Sequence, residues 1–319
     1  MGLGVILMEL LTPFFELFLP IIPGDVFPYF FGETVRGYPV LSLQRALIAA
    51  IAMAIVAGYL GNFLLLQNLA LIGDGLAHVS FGAVAIAWVI LGASEQPLPY
   101  TLAITSICAI LIHELQYRGI LTGDASIAIF MTGMLGLGLV ILRIGKVPLL
   151  DFEDYLFGDI YTITEWQLDF IVLALLFSMI ILVLIRPALL AMIIDPVSAR
   201  VQGIPTRAIG LVFSVISAVV IVSMVKIIGA LLVTALLVTP AATAQLISRS
   251  FKSCLLWTHF FGLISVLVGL FLSAEMGTGG GSMIAVVAAT IFAITAIAKT
   301  SVGAYSKFKH GHNLSQVVS

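Results

Sequence analysis

Runs of about 20 apolar residues, the length that carries an α-helix across a bilayer, recur along almost the whole chain. They fall at 46–67, 76–94, 98–116, 126–145, 166–186, 209–226, 228–247, 254–274 and 282–300. Backbone polar groups in hydrocarbon must be satisfied within the spanning segment, so each run is predicted to be a helix. The chain is therefore expected to be an all-α, polytopic integral membrane protein with about nine transmembrane helices. With 61% hydrophobic and only 9% charged residues, a water-soluble fold could not hide its apolar surface. A net charge of −2 leaves no basic footprint for nucleic acid. Cys108 and Cys254 both lie inside apolar runs, where they read as small packing residues rather than a disulfide framework.

Residues 1–41 stand apart. They are apolar up to residue 31 yet contain Glu9, Glu16, Pro13, Pro20 and Pro23, and they lack the basic start of a secretory signal. They read as an interfacial helix or a broken extra span, ahead of a transmembrane domain at 42–300 and a polar cytoplasmic tail at 301–319. Placing the C-terminus in the cytoplasm puts Arg118, Arg186, Arg200, Arg207, Arg249, Lys252, Lys299, Lys307 and Lys309 inside. Arg36, Arg45, Arg143, Lys146 and Lys226 are then outside, and the surplus obeys the positive-inside rule. Glu95, Asp151, Glu153, Asp154, Asp159, Glu165, Asp169 and Glu275 then gather on outer loops or outer helix ends. An acidic outer surface of this kind attracts cations, although translocation also favours acidic over basic loops.

Between two of the apolar runs the chain reads GDGLAHVSFG, from Gly73 to Gly82. Asp74 and His78 are four residues apart, on one face of a helix, and a carboxylate with an imidazole is a partial shell for a divalent transition metal. Two donors do not complete a site, which suits an ion that must leave again. The competing reading makes Asp74 the N-cap of a helix beginning at Gly75 and His78 a hydrogen-bonded packing residue. An ionisable side chain inside a membrane costs about 2.5–3.5 kcal/mol on insertion scales and marks a functional site by default.

This stretch resembles the second-helix motif of the membrane permeases of ATP-binding-cassette importers for zinc and manganese. Three further stretches follow in the same order: YLFGDIYTIT at 155–164, DPVSARVQGIPTR at 195–207 and KIIGALLVTALLVTPAATAQLISRS at 226–250. The resemblance covers about residues 42–300 and implies a type II importer permease fold. It also implies a homodimer in the lipid of the cell membrane, a cytoplasmic ATPase subunit that binds the ATP, and an extracytoplasmic metal-binding protein. The cargo would be Zn2+ or Mn2+ in transit, with no permanently bound cofactor and no catalytic residue on this chain. GD-x-x-AH-x-S and LFGD look more like the zinc members.

The resemblance assigns roles to the other motifs. Phe157, Gly158 and Asp159 would form the extracellular gate, with Gly158 permitting a tight backbone. Asp195, Ala199, Arg200 and Gly203 would belong to a coupling helix that meets the ATPase. Asp195 suits a cap, Pro196 a first turn, and Gly203 with Pro205 a stop. Pro240 is expected to kink a membrane helix whose freed carbonyls Thr239 and Thr243 satisfy, while the alanines of this stretch allow close packing.

Other signals are weaker. His259 has no acidic neighbour at helical spacing, and HELQY at 113–117 lacks the second histidine of a zinc protease motif. GTGGGS at 277–282 has no P-loop lysine and reads as a turn, while KHGHN at 309–313 reads as a solvated, disordered end. No Walker motif occurs, so energy for transport must come from a partner. A proton-coupled secondary carrier would use the same Asp74 and His78 as a relay, but such carriers often show paired half-repeats and no second copy of GDGLAH is present. An intramembrane enzyme using Ser80 or His78 would lack a matching partner motif.

Overall fold

The computed structural model describes residues 6, 10–13, 17, 22–31, 34–35, 38–39, 41–92, 97–147, 155–156, 158, 160 and 163–317. A 3-10 turn at Phe27–Phe31 and a two-residue antiparallel ladder, β1 (Thr34–Val35) with β2 (Tyr38–Pro39), precede the helices. The remaining calls on 1–41 lie outside the described residues. The helices are α1 (Leu41–Leu66), α2 (Ile72–Val89), α3 (Leu98–Tyr117), α4 (Gly123–Ile144) and α5 (Glu165–Ile194). They continue with α6 (Pro196–Val201), α7 (Thr206–Ile228), α8 (Val233–Leu237), α9 (Thr239–Ile247), α10 (Phe251–Met276) and α11 (Gly280–Val317).

Among the described residues, eight helices are long and apolar enough to cross a membrane. The ninth expected span, 228–247, is broken into a 3-10 turn at Ala230–Leu232, α8 and α9. Its helical pieces Val233–Leu237 and Thr239–Ile247 form a shorter apolar stretch than the eight spans. The protein is thus a multi-pass, all-α membrane protein. Three boundaries differ from the sequence reading. Helix α2 starts at Ile72 rather than 76, so Asp74 is already inside it. Helix α5 runs through Pro187 to Ile194, because a proline removes one backbone bond and membrane helices accommodate such a loss. The backbone of α11 stays helical to Val317, through the tail expected to be disordered; no proline interrupts it.

Helices α1, α2 and α7 form the centre, with 83%, 72% and 67% of their apolar windows buried, against 22% for α4 and 17% for α11. The outer helices therefore present most of their apolar surface to lipid. Lipid offers no hydrophobic drive for helix association, so contact depends on close packing and interhelical hydrogen bonds. Both are present. A Cβ on Gly82 would lie 2.3 Å from the Met134 carbonyl oxygen, so α2 and α4 touch backbone to backbone. Between α1 and α10, the buried Asn62 amide donates to the Gly58 carbonyl (2.8 Å) and to Thr258 Oγ1 (2.9 Å). The Cys254 thiol donates to Asn62 Oδ1 at 3.1 Å, so this cysteine is a hydrogen-bonding partner as well as a packing residue.

Turn chemistry fixes the helix ends. Thr164 and Gln167 form a reciprocal capping box at the start of α5, Ser250 caps α10 by accepting from the Ser253 N–H, and Gly277 closes α10 in the left-handed conformation (φ 64°). Of GTGGGS, Gly277 to Gly279 form the expected turn, while Gly280 to Ser282 already belong to α11. Near the same end, the Glu275 carboxylate accepts from the backbone N–H groups of Asp25, Val26 and Phe27 at 3.1, 2.9 and 2.9 Å. Phe27 packs edge-on against Phe271 with centroids 5.3 Å apart, which fastens the N-terminal turn to α10. Glu165 pairs with Arg45. These two members of the outer acidic set are therefore occupied structurally, whereas Glu95, Asp151, Glu153, Asp154 and Asp159 lie outside the described residues.

Candidate metal pathway

Asp74 occupies the first turn of α2, and the N-cap position belongs to Leu71, which makes no side-chain cap hydrogen bond. The capping role considered for Asp74 is therefore not what holds it. The positive end of the helix dipole favours a carboxylate there. His78 follows one turn later, with Nε2 3.7 Å from Asp74 Oδ1. That distance is too long for a hydrogen bond. Two donors each about 2.1 Å from a tetrahedral ion lie about 3.4 Å apart, so the spacing is near that of a shared ligand pair. The side chains are 38% exposed at Asp74 and 15% at His78. His78 Nδ1 is buried with no hydrogen-bond partner among the described residues.

The broken span faces Asp74. Helix α7 ends at Gly229, whose positive φ of 85° turns the chain out of the helix, a conformation that glycine adopts without steric penalty. The chain then passes through α8 and re-enters a helix at α9. A cavity of about 410 Å³ is lined by Ala70, Leu71, Asp74, Thr234, Ala235, Val238 and Thr239. Two motifs far apart in sequence, GDGLAH and LLVTPAATA, thus wall one space. Small residues make the approach possible: a Cβ on Gly73 would lie 2.9 Å from Leu237 Cδ2, and one on Gly61 of α1 would lie 1.9 Å from the Leu237 carbonyl oxygen. Sequence reasoning missed Gly61 and Thr234; a glycine in an otherwise apolar helix was the only signal for the first.

Pro240 sits in the first turn of α9. The helix is interrupted just before it at Val238, whose backbone stays in the helical region (φ −99°, ψ −44°), where a proline that cannot donate to the carbonyl four residues back weakens a helix. Thr243 Oγ1 donates to the Thr239 carbonyl at 2.7 Å, an ordinary bond one turn back within α9, so it does not serve the carbonyl at Leu236. Among the described residues, no group of three or more His, Cys, Asp or Glu side chains could hold a metal ion.

The remaining motifs take definite places. Gly158 has φ +75°, and a Cβ there would lie 2.3 Å from the Ile228 carbonyl carbon, so the YLFGD segment rests directly on the Ile228–Gly229 joint that opens the broken span. Phe157 and Asp159 lie outside the described residues. Tyr155 is buried, with the Lys226 ammonium 5.5 Å from the centroid of its ring. Asp195 caps α6, accepting from the N–H groups of Val197 (2.9 Å) and Ser198 (3.1 Å) and from the Ser198 hydroxyl. The Ser198 hydroxyl bond and then the backbone bonds hold its carboxyl below the ordinary aspartate range. Gly203, at φ 82°, follows the end of the helix. Ala199 is 1% exposed and packs inward, whereas Val197 and Val201 are 69% and 83% exposed. Arg200 turns back over the Tyr117 ring, 5.5 Å from its centroid. His259 Nδ1 lies 2.6 Å from the Leu255 carbonyl of its own helix, as a packing residue would.

A bundle of apolar helices in which one interrupted span and the carboxylate of Asp74 wall a cavity, with His78 one turn behind, is the architecture of a polytopic membrane permease. The ABC 3 transport family matches residues 40–299, and the chain belongs to that family. It is 30% identical over 282 residues to the manganese transport system membrane protein MntC of Halalkalibacterium halodurans, covering 88% of this chain and 95% of that protein. It is 29% identical to the high-affinity zinc uptake system membrane protein ZnuB of Haemophilus influenzae, covering 79% and 96%. Among solved structures, PsaBC from Streptococcus pneumoniae in complex with Fab superposes with a TM-score of 0.70 at 30% identity, over 80% of this chain and 90% of that one.

Proposed function

We propose that this chain is the transmembrane permease subunit of an ATP-driven importer of a divalent transition metal, zinc or manganese. It works as a homodimer with a cytoplasmic ATPase on each half and an extracytoplasmic metal-binding protein outside. The observation that carries this reading is the Asp74–His78 pair on α2, 3.7 Å apart, with Asp74 opening on the cavity walled by α8 and α9. A carboxylate and an imidazole with no thiol suit zinc and manganese alike. An incomplete shell lets the ion be released when the surrounding helices rearrange. GD-x-x-AH-x-S and LFGD favour zinc. Manganese is the second reading, favoured by the relatives named for manganese transport, among them MntC of H. halodurans and ScaB of Streptococcus parasanguinis.

In this reading Phe157, Gly158 and Asp159 act at the outer gate and the break at Gly229 gives the gate its mobile joint. Helix α6 is the coupling helix. Its outward apolar face, Val197 and Val201, meets the ATPase, while Ala199 and Arg200 join it to the bundle. Uptake by proteoliposomes holding the full complex, with radioactive zinc and unlabelled manganese in competition and then the reverse, tests cargo and energy source together. ATP-dependent uptake of either metal supports the importer; uptake driven by a pH gradient without ATP contradicts it.

A further inference from the structure

At the end of the bundle assigned to the cytoplasm by its Lys and Arg surplus, a second cavity of about 460 Å³ opens where α6, α7 and the last turn of α3 meet. Its lining includes Tyr117, Arg200 and Arg207 together with the apolar Ile204, Pro205 and Leu211. The guanidinium groups of Arg200 and Arg207 lie 5.5 and 5.9 Å from the centroid of the one Tyr117 ring. Glu114 takes Arg207 at 2.7 Å and Arg118 at 2.6 Å. Arg118 and Arg207 thus share one carboxylate, and among the described residues Arg200 pairs with none. Arg200 and Arg207 line the open, partly apolar pocket and Arg118 and Glu114 stand beside it, a surplus of two positive charges.

The surface leading from this pocket into the membrane is apolar. On α3, Ile107, Ile110 and Leu111 are 57%, 39% and 48% exposed. They stand on the same helix face as Glu114, Tyr117 and Arg118, at steps of three and four residues. On α7, Val212 beside Leu211 is 38% exposed. A cationic pocket continuous with a lipid-facing stripe matches an amphiphile with an anionic head and acyl chains. It fits a free anion poorly, because half of the pocket would go unused. Basic pockets between membrane helices on the cytoplasmic side bind anionic lipid headgroups.

We infer that the pocket between Tyr117, Arg200 and Arg207 holds the phosphate of an anionic phospholipid of the cytoplasmic leaflet, its acyl chains lying along Leu111 and Ile107. Such a lipid bridges α3 and α6 and ties the coupling helix to the membrane. It makes no use of Val197 and Val201, so the ATPase-facing side of α6 stays available.

The full-length permease, purified with its ATPase in a neutral detergent containing equal amounts of phosphatidylglycerol and phosphatidylcholine, is released intact in a mass spectrometer and its bound lipid counted. Phosphatidylglycerol should be retained in preference. The preference should fall about fivefold in Arg200→Gln, the factor equivalent to about 1 kcal/mol per basic side chain at an anionic surface, and further in Arg200→Gln with Arg207→Gln. Arg200→Gln breaks no ion pair described here. Leu211→Trp, which fills the apolar floor while keeping every charge, should also lose the lipid. Equal retention of the two lipids by the wild-type complex overturns the inference, as does a preference that survives loss of both arginines. Displacement of the lipid by inorganic phosphate at the same concentration overturns it too, since that identifies a free-anion site.

Discussion

Gly61→Ala tests how the broken span is held against the metal pathway. The added methyl would lie 1.9 Å from the Leu237 carbonyl oxygen and 3.0 Å from its carbon. Since the obstacle is backbone, α1 or the Leu237–Val238 joint must move by about 1 Å or more. Overpacking of this kind costs about 1–3 kcal/mol, against about 0.5–1 kcal/mol that alanine gains over glycine inside a helix. Gly58→Ala on the same helix is the matched control. There the methyl meets a side chain rather than backbone, Thr258 Cγ2 at 3.3 Å, which has to give by only a few tenths of an ångström, so the propensity gain should offset the displacement and stability should stay close to wild type. Thermal unfolding of the two purified variants in one detergent should therefore separate them, with Gly61→Ala melting below wild type and Gly58→Ala close to it. Metal uptake should drop in Gly61→Ala alone, because the displaced segment carries Thr234 and Thr239 at the Asp74 cavity. If Gly61→Ala melts and transports like Gly58→Ala, the close seat of α8 on α1 is wrong.

A cysteine at Val197 or Val201 should crosslink to the ATPase in high yield, whereas one at the buried Ala199 should react poorly; equal yields at all three would contradict the orientation of α6. Asp195→Ala should uncouple ATP hydrolysis from uptake, while Asp195→Asn, which keeps a capping oxygen, should leave coupling largely intact; equal uncoupling by both would assign the role to charge. Because the Asp195 carboxyl is held low, its contribution to α6 is fully present at neutral pH and is lost only as pH falls through that lowered value; coupling measured as a function of pH should show no Asp195-dependent step above the ordinary carboxylate range. Gly158→Ala, strained by its positive φ and blocked by Ile228, should slow uptake without changing which metal competes, and a changed preference between zinc and manganese would move selectivity to the gate.

The spans were legible because about 20 apolar residues at a time leave a chain little choice but membrane helices. Asp74 and His78 stood out in the sequence because charge is costly inside a membrane. What the sequence could not convey was contact between distant segments. The run 228–247 is apolar throughout, and its interruption depends on Gly229 packing under Gly158 and Gly281, where a Cβ on Gly281 would lie 2.6 Å from the Ile228 oxygen. Pro240 accompanies the second interruption, at Val238, but a proline there carries no signal for the joint at Gly229. Ala199 is assigned to the coupling helix by the resemblance alone, and a six-residue helix has too few residues for an apolar period to show which side faces in. The start of α2 was placed late for a similar reason: Gly73, Asp74 and Gly75 resemble a turn until close packing against α4 and α8 holds them helical.

The most direct test of the metal pathway is initial-rate uptake of zinc and of manganese by proteoliposomes containing the complete complex with wild-type, Asp74→Asn or His78→Ala permease. Assembly and basal ATP hydrolysis are verified in the same vesicles. Asp74→Asn removes the anionic donor at nearly constant size, and since Asp74 is not the cap of α2 it leaves the start of the helix as it was. The predicted result is normal assembly and basal hydrolysis with transport of both metals abolished or strongly reduced in each variant. Assembled variants that carry zinc or manganese at the wild-type rate would show that the ion does not pass through Asp74 and His78.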